Sequence, residues 1–301
     1  MVTPGQLQKA CVFVSCMFCF AIYYFAVGNK LDERYFIHSF ARGLKLLEHV
    51  AEAGEPATLS QIAKRMDMTP PTTYRFLYTL QALGFVETDT DRKTYRLTPK
   101  ILRFGHGLFR SSELWNTAHP YLVKASREYS ETFNLAILDH DQILYIDRIK
   151  TRSILTINLT IGSKLPAFCT SMGRVLLSRL PVKELRKRLK ASPLTAYTPH
   201  TVTTVKQLEK IIEQVRRQGY AVNNGELSPE LCSVAAPILN QTGETIAALN
   251  MAVHKARHDD TYIETVMVPA VVTYAARISQ AMGYFDDDDN RACDHMPDRS
   301  I

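Results

Sequence analysis

Residues 58–84, TLSQIAKRMDMTPPTTYRFLYTLQALG, decide how the rest of the chain is read. In the first half Leu59, Ile62, Ala63 and Met66 recur at the i, i+3, i+4, i+7 spacing that gathers side chains on one face of a helix. Thr58 stands before them as an N-cap, and Gln61 three residues on completes a capping box. The second half begins with Thr69 as N-cap and Pro70 at the first helical position, where a missing N–H costs nothing. Leu77, Leu80 and Leu83 are its expected buried stripe, and Gly84 stops it. Two short amphipathic helices with a tight polar break between them form a helix-turn-helix, whose second helix can enter the DNA major groove N-terminus first. Spacing alone leaves a plain helical hairpin equally open.

The flanks favour DNA. Residues 85–98, FVETDTDRKTYRLT, have β-rich ends around a polar Thr90-Asp91-Arg92-Lys93 tip and read as a hairpin. A helix-turn-helix followed by a hairpin with a basic tip is a winged helix-turn-helix. From Lys64 to Arg110 nine basic residues stand against four acids, whereas the whole chain of 301 residues carries a net charge of only +6. Phosphate contacts require that kind of local concentration, although a charged run is also what a solvated face looks like. Upstream, Ser39 is expected to cap a support helix with Phe40, Leu44, Leu47 and Ala51 on one face, ended by Gly54 to Pro56. Downstream, Thr98 and Pro99 start a linker helix through Ile101, Leu102, Leu108 and Phe109, whose apolar face is a candidate dimer surface.

The composition, 46% hydrophobic and 22% charged, is that of a globular protein and excludes disorder or a fibre. The six cysteines show no disulfide or zinc spacing, which points to a reducing cytoplasm. Cys16 and Cys19 form a C-x-x-C without ligand partners. Residues 10–29 carry no charge and are mostly apolar. Three readings compete there: a membrane anchor, a signal peptide without a clear cleavage site, or a start codon assigned upstream of the true one near Val27 or Leu31. The anchor would make the chain a membrane-anchored one-component sensor with the same DNA-binding domain.

The second half alternates hairpins and helices. A helix is expected over Asn116 to Ser130, and strands over Asn134 to Asp139 and Ile143 to Ile149, joined by His140-Asp141, with another at Ile154 to Leu159. Helices follow at Thr170 to Leu180, Val182 to Lys190 and Val205 to Gln218. Further strands are expected at Tyr220 to Asn223, Ser233 to Leu239 and Thr245 to His254, then a last helix from Asp260 to about Met282 and an acidic tail at Asp286 to Asp289. Hairpins with helices outside them indicate an α+β domain around an antiparallel sheet.

Residues 161–180, IGSKLPAFCTSMGRVLLSRL, and 219–237, GYAVNNGELSPELCSVAAP, resemble the effector domain of IclR-type bacterial transcription regulators, and TTYRFLYTLQALGF resembles that family's N-terminal domain. The resemblance spans about residues 38 to 284. LPAFCTSMGRVLLSRLP and the Tyr197 to Val202 stretch are similar to the branch governing protocatechuate, 4-hydroxybenzoate and β-ketoadipate catabolism. The family's pocket loop reads acid-rich and then Gly-Leu-Arg, whereas this chain has Asn224-Gly225 and Glu230-Leu231-Cys232 there. The resemblance implies a winged DNA-binding domain over 38–98, a linker helix over 99–115 and a GAF/profilin-like effector domain over 116–284; an apolar N-terminal extension over 1–37 and an acidic tail over 285–301 lie outside it. It also implies a double-stranded DNA operator, a small carboxylate effector, a homodimer or dimer of dimers, and RNA polymerase as a further partner.

Candidate residues follow from chemistry. On the second helix Thr72, Thr73, Tyr74 and Arg75 are expected to face DNA. Threonine can bond base edges or phosphate, and Arg75 can grip guanine O6 and N7 or a phosphate. Tyr74 and Phe76 also have a packing reading against the support helix. Arg92 and Lys93 at the wing tip suit backbone contact. For the effector, the turn Cys169-Thr170-Ser171-Met172-Gly173 enters a helix and presents unpaired N–H groups at its positive end, which suits a carboxylate. Thr170 or Ser171 could equally be an N-cap. By resemblance Ser171 and Met172 lie where relatives bind a small acid, with Asn223 and Ser233 facing them. An enzyme reading would use Cys169 with His200 or His254 as base, but no motif joins them, and no motif calls for a cofactor or metal.

Overall fold

The computed structural model describes residues 33–151 and 159–285. The apolar run 10–29, most of the strand expected at Ile154 to Leu159, and the acidic tail lie outside the described residues. The chain divides after Ser112 into two compact units.

The first unit has helix α1 (His38–Glu52), β1 (Ala57–Thr58), α2 (Leu59–Arg65), α3 (Pro70–Ala82), β2 (Val86–Asp89) and β3 (Thr94–Leu97). A 3-10 turn (Pro99–Ile101) then leads into α4 (Leu102–Ser111). The capping box forms at α2: Thr58 Oγ1 accepts from the Gln61 N–H, and Gln61 Oε1 from the Thr58 N–H at 2.8 Å. Pro70 opens α3, Leu77 is buried, and Gly84 follows the helix at φ +75, a conformation that favours glycine. The wing pairs Val86 with Leu97 and Asp89 with Thr94, and β1 adds a third strand on β3. Asp89 Oδ1 accepts from the N–H groups of Asp91 and Arg92, which fixes the tip.

Three local expectations change. Ile37, not Ser39, precedes α1, without a side-chain cap. The buried face of α1 is Leu46 and Val50, with Leu47 partly buried against them; Phe40 is 65% and Leu44 48% exposed. Leu83 at the end of α3 is also exposed. One apolar stripe can be drawn on more than one face of a leucine-rich helix, and the neighbouring helices choose among them.

The second unit is the expected α+β domain. Helix α5 (Glu113–Tyr129) leads to β4 (Thr132–Asp139) and β5 (Gln142–Ile149), then β6 (Lys164–Pro166) and a 3-10 turn (Ala167–Cys169). Helices α6 (Ser171–Ser178), α7 (Val182–Ala191) and α8 (Val205–Gln218) follow, then strands β7 (Ala221–Asn224), β8 (Leu231–Leu239) and β9 (Thr245–His254). The last helical segment starts at Asp260–Tyr262, passes through a π turn (Ile263–Met267) and continues as α9 (Val268–Ala281). The six strands form one antiparallel sheet in the order β6-β5-β4-β9-β8-β7. Its two faces follow from the alternation of β4. Phe133 turns toward Tyr129 of α5 and Tyr274 of α9, with the Phe133 and Tyr274 rings 6.3 Å apart. Ala136 turns the other way, into a core with Met172, Val175 and Leu176 of α6 and Leu208 and Ile212 of α8. Strand β6 is too short, at three residues, to carry a readable alternation.

Two close packings set the position of α6. A Cβ on Gly173 would overlap the Ala167 backbone, so only glycine lets the 3-10 turn lie against the helix. Thr170 is the N-cap: its Oγ1 accepts from the Gly173 N–H at 3.2 Å.

Candidate functional site

The two halves of the expected function lie on different units. On the first, Thr72 is half-buried, and Tyr74, Arg75, Arg92 and Lys93 are exposed. Thr73 departs from expectation. It is fully buried, and its hydroxyl donates to the Thr69 carbonyl at 3.1 Å, so it packs the helix-turn-helix and offers nothing to a base edge. Thr72 Oγ1 lies 2.9 Å from Thr69 Oγ1. Phe76 packs in the core beside Gly43 of the support helix, whereas Tyr74 is 51% exposed and neighbours Tyr78. The exposed face of α3 therefore carries Tyr74, Arg75 and Tyr78, with Thr72 at its edge.

On the second unit a cavity lies between the sheet and the α6 N-terminus and encloses about 440 Å³, its open mouth included. From the helix side it is lined by Cys169, Thr170 and Ser171; from the loop after β7 by Leu227. The sheet floor supplies Asn223, Leu231, Ser233, Asn250, Ala252, Asn134, Tyr145 and Arg148, and Leu159 and Leu165 close one side. The ladder arranges the polar residues in two rows. Asn223 pairs with Ser233, and Ser233 with Ala252; in the next row Arg148 pairs with Asn134, and Asn134 with Asn250.

Five of the expected effector residues, Cys169, Thr170, Ser171, Asn223 and Ser233, meet at the cavity wall with most of their hydrogen bonds made inside the protein. Asn223 Nδ2 donates to the Cys169 carbonyl, and its Oδ1 accepts from the Glu226 N–H. The Ser171 and Ser233 hydroxyls lie 2.8 Å apart. Thr170 is taken up as the cap. Met172 departs from expectation: it is fully buried in the core beneath the cavity and is not part of its lining. Burial pushes the Cys169 thiol up to about 12, which leaves it protonated and removes the ground for a nucleophile at that position.

The loop over the cavity is held by a buried ion pair. Arg174 Nη1 and Nη2 donate to the two carboxylate oxygens of Glu226, each at 2.6 Å, while Arg174 Nε donates to the Phe168 carbonyl. Thr198 and Thr201 donate to the carbonyls of Gly225 and Glu226. Glu226 thus fixes the loop in which the usual Gly-Leu-Arg of the resembled family is missing.

Sequence reading missed Arg148, Asn134 and Asn250. Arg148 Nη1 donates to Asn134 Oδ1 at 3.2 Å, and Asn134 Nδ2 to Asn250 Oδ1 at 2.7 Å. A β-bulge hides Arg148. Leu135 pairs with Asp147 but Ala136 with Tyr145, so Ile146 is an extra residue in the ladder. Tyr145 and Arg148 therefore share the cavity face, although strict alternation would put them on opposite sides.

Comparison with known proteins accounts for both units. The model for the IclR helix-turn-helix domain matches residues 39–90, and that for the bacterial transcriptional regulator IclR C-terminal domain matches residues 106–280. The Pca regulon regulatory protein of Pseudomonas putida is 37% identical over 238 residues, 79% of this chain and 81% of that protein. A crystal structure from Rhodococcus sp. RHA1, assigned as a transcriptional regulator, superimposes with a TM-score of 0.72 at 36% identity, over 82% of this chain and 98% of that one. An IclR homologue from Microbacterium hydrocarbonoxydans crystallised with 4-hydroxybenzoate shares the fold, with a TM-score of 0.69 at 23% identity over 81% and 98% of the two chains. With two family models matched in order along the described fold, the chain belongs to the IclR family of DNA-binding transcription regulators.

Proposed function

We propose that this regulator controls a catabolic operon in response to a small carboxylate, an aromatic acid or a β-ketoadipate-type metabolite, bound in the cavity between the sheet and α6. The observation that carries the reading is the cavity lining: apolar walls of Leu159, Leu165 and Leu227 around a few fixed polar groups, the composition of a small-molecule site. The similarity to the Pca regulon regulatory protein supports the choice of catabolic class. Thr72, Tyr74 and Arg75 read the operator, and Arg92 and Lys93 grip its backbone. A homodimer or dimer of dimers presents two such helices, with the exposed Leu102, Phe104 and Leu108 of α4 as the apolar surface available for pairing. The acid acts by binding one geometry of the assembly better than another, since a ligand shifts an equilibrium only by its differential affinity.

A thermal-shift panel of 4-hydroxybenzoate, protocatechuate and β-ketoadipate, followed by gel shifts on the operator, tests this reading. A true effector raises Tm by mass action and changes operator affinity in the same concentration range. A protein indifferent to every acid in both assays rules it out.

A further inference from the structure

We infer that Arg148 is the specificity-determining cation of the cavity, taking the effector's carboxylate on its Nε/Nη2 edge and leaving the Ser171–Ser233 hydroxyl pair to a neutral oxygen at the other end of the ligand. The inference rests on the effector reading above and reverses the polarity expected from the α6 N-terminus. Among the described residues of the lining, Arg148 is the one cation, and no carboxylate accompanies it. Its Nη1 is used by Asn134 Oδ1, while its Nε is buried without a hydrogen-bond partner. A buried guanidinium N–H that finds no acceptor carries a desolvation cost, and because this one belongs to a residue of the cavity lining, an acceptor on a bound ligand can supply its partner. Burial holds the Arg148 pKa below the ordinary guanidinium value, with the neighbouring Tyr145 opposing the shift.

The groups at the α6 end are committed differently. Thr170 Oγ1 caps the helix, Asn223 Nδ2 holds the Cys169 carbonyl, and Ser171 and Ser233 satisfy each other. Either serine hydroxyl can turn to donate to a hydroxyl or keto oxygen, but neither brings charge. The Nε/Nη2 edge of arginine, by contrast, matches the two oxygens of a carboxylate in a planar bidentate fork. The Arg148–Asn134–Asn250 chain holds that fork in place from below. The ligand class that fits is a carboxylate carrying a hydroxyl or keto oxygen at its far end.

The test is calorimetric titration of the full chain, wild type, R148Q and R148K, with 4-hydroxybenzoate, protocatechuate, β-ketoadipate and the neutral 4-hydroxybenzamide. The expected result is that at least one acid binds wild type and the amide does not, and that R148Q weakens that acid by about 10- to 100-fold, the range for hydrogen bonds to a charged group. R148Q should keep operator binding, with an unliganded Tm lowered at most by the lost hydrogen bond to Asn134; a merely structural arginine would lower that Tm and leave the acid Kd of the folded variant unchanged. Should R148Q fail to fold, R148K keeps the charge without the fork, and a weakened acid there supports the assignment. An unchanged acid Kd in the folded variant overturns it while leaving the effector reading intact, and so does equal binding of acid and amide by wild type. A wild type that binds none of the acids overturns the assignment together with the reading it rests on.

Discussion

Arg75 and Lys93 are both exposed cations of the first unit, yet they occupy positions with different consequences. Arg75 lies in the first turns of α3, where a guanidinium can reach base edges, whereas Lys93 sits on the wing tip at φ +52 beside the Asp89 turn. Arg75→Ala should therefore reduce discrimination between operator and random DNA by about 1–3 kcal/mol. Lys93→Ala should weaken both equally and lower the salt slope of binding by about one. Gel shifts at several salt concentrations decide between them, and equal specificity ratios in the two variants would contradict the split. Single residues were also the least legible scale in the sequence. Thr73 carries the right chemistry for DNA but points into the helix pair, which residue type cannot reveal. Arg148 was hidden by one extra residue in a strand, and only the observed register shows that Tyr145 and Arg148 look the same way.

Elements were far more legible, because long periodic stretches and caps leave a local signature: the capping box, the wing and both ladders of the β4–β5 and β8–β9 hairpins stand where the pattern put them. What the pattern could not supply was contact between elements distant in sequence. Arg174 on α6 and Glu226 after β7 are 52 positions apart, and nothing in either segment announces their pairing. Their side chains are only 3% and 11% exposed. Removing one partner leaves the other charge buried and uncompensated, so Arg174→Met should cost about 3–5 kcal/mol, while the double change with Glu226→Leu should recover most of it. Urea melts followed by the fluorescence of Trp115, the single tryptophan of the chain, read this unit directly. A double variant as unstable as Arg174→Met would show that the pair has no coupling of this kind. Because Glu226 also bonds Asn223 and accepts from the Val202 N–H, the single variant should loosen the loop over the cavity as well.

At the scale of the whole molecule the two units differ in how they hold their protons. In the second unit burial pushes the Cys169 thiol from an ordinary value of 9.0 up to about 12. Burial, followed by the hydrogen bond to Glu128, raises Tyr274 from 10.0 to about 12, and burial also raises Tyr145. Among the described residues of the first unit one group is comparable, Tyr95, whose raised pKa again comes first from burial. A group whose folded pKa lies above its unfolded value adds stability that is fully present below the unfolded value and is lost as pH rises through the folded one. Between pH 9 and 12 the unfolded chain has released protons that the folded second unit still holds, so its stability falls with pH across that window. The urea midpoint followed by Trp115 fluorescence should accordingly drop between pH 8 and pH 11 by more than the midpoint of the first unit, followed by the circular dichroism that remains after the Trp115 transition. Cys169→Ala and Tyr274→Phe together should flatten the pH dependence of the Trp115 transition without touching the other. Equal alkaline losses in both transitions, or a double variant as pH-sensitive as wild type, would place the alkaline weakness outside these buried groups.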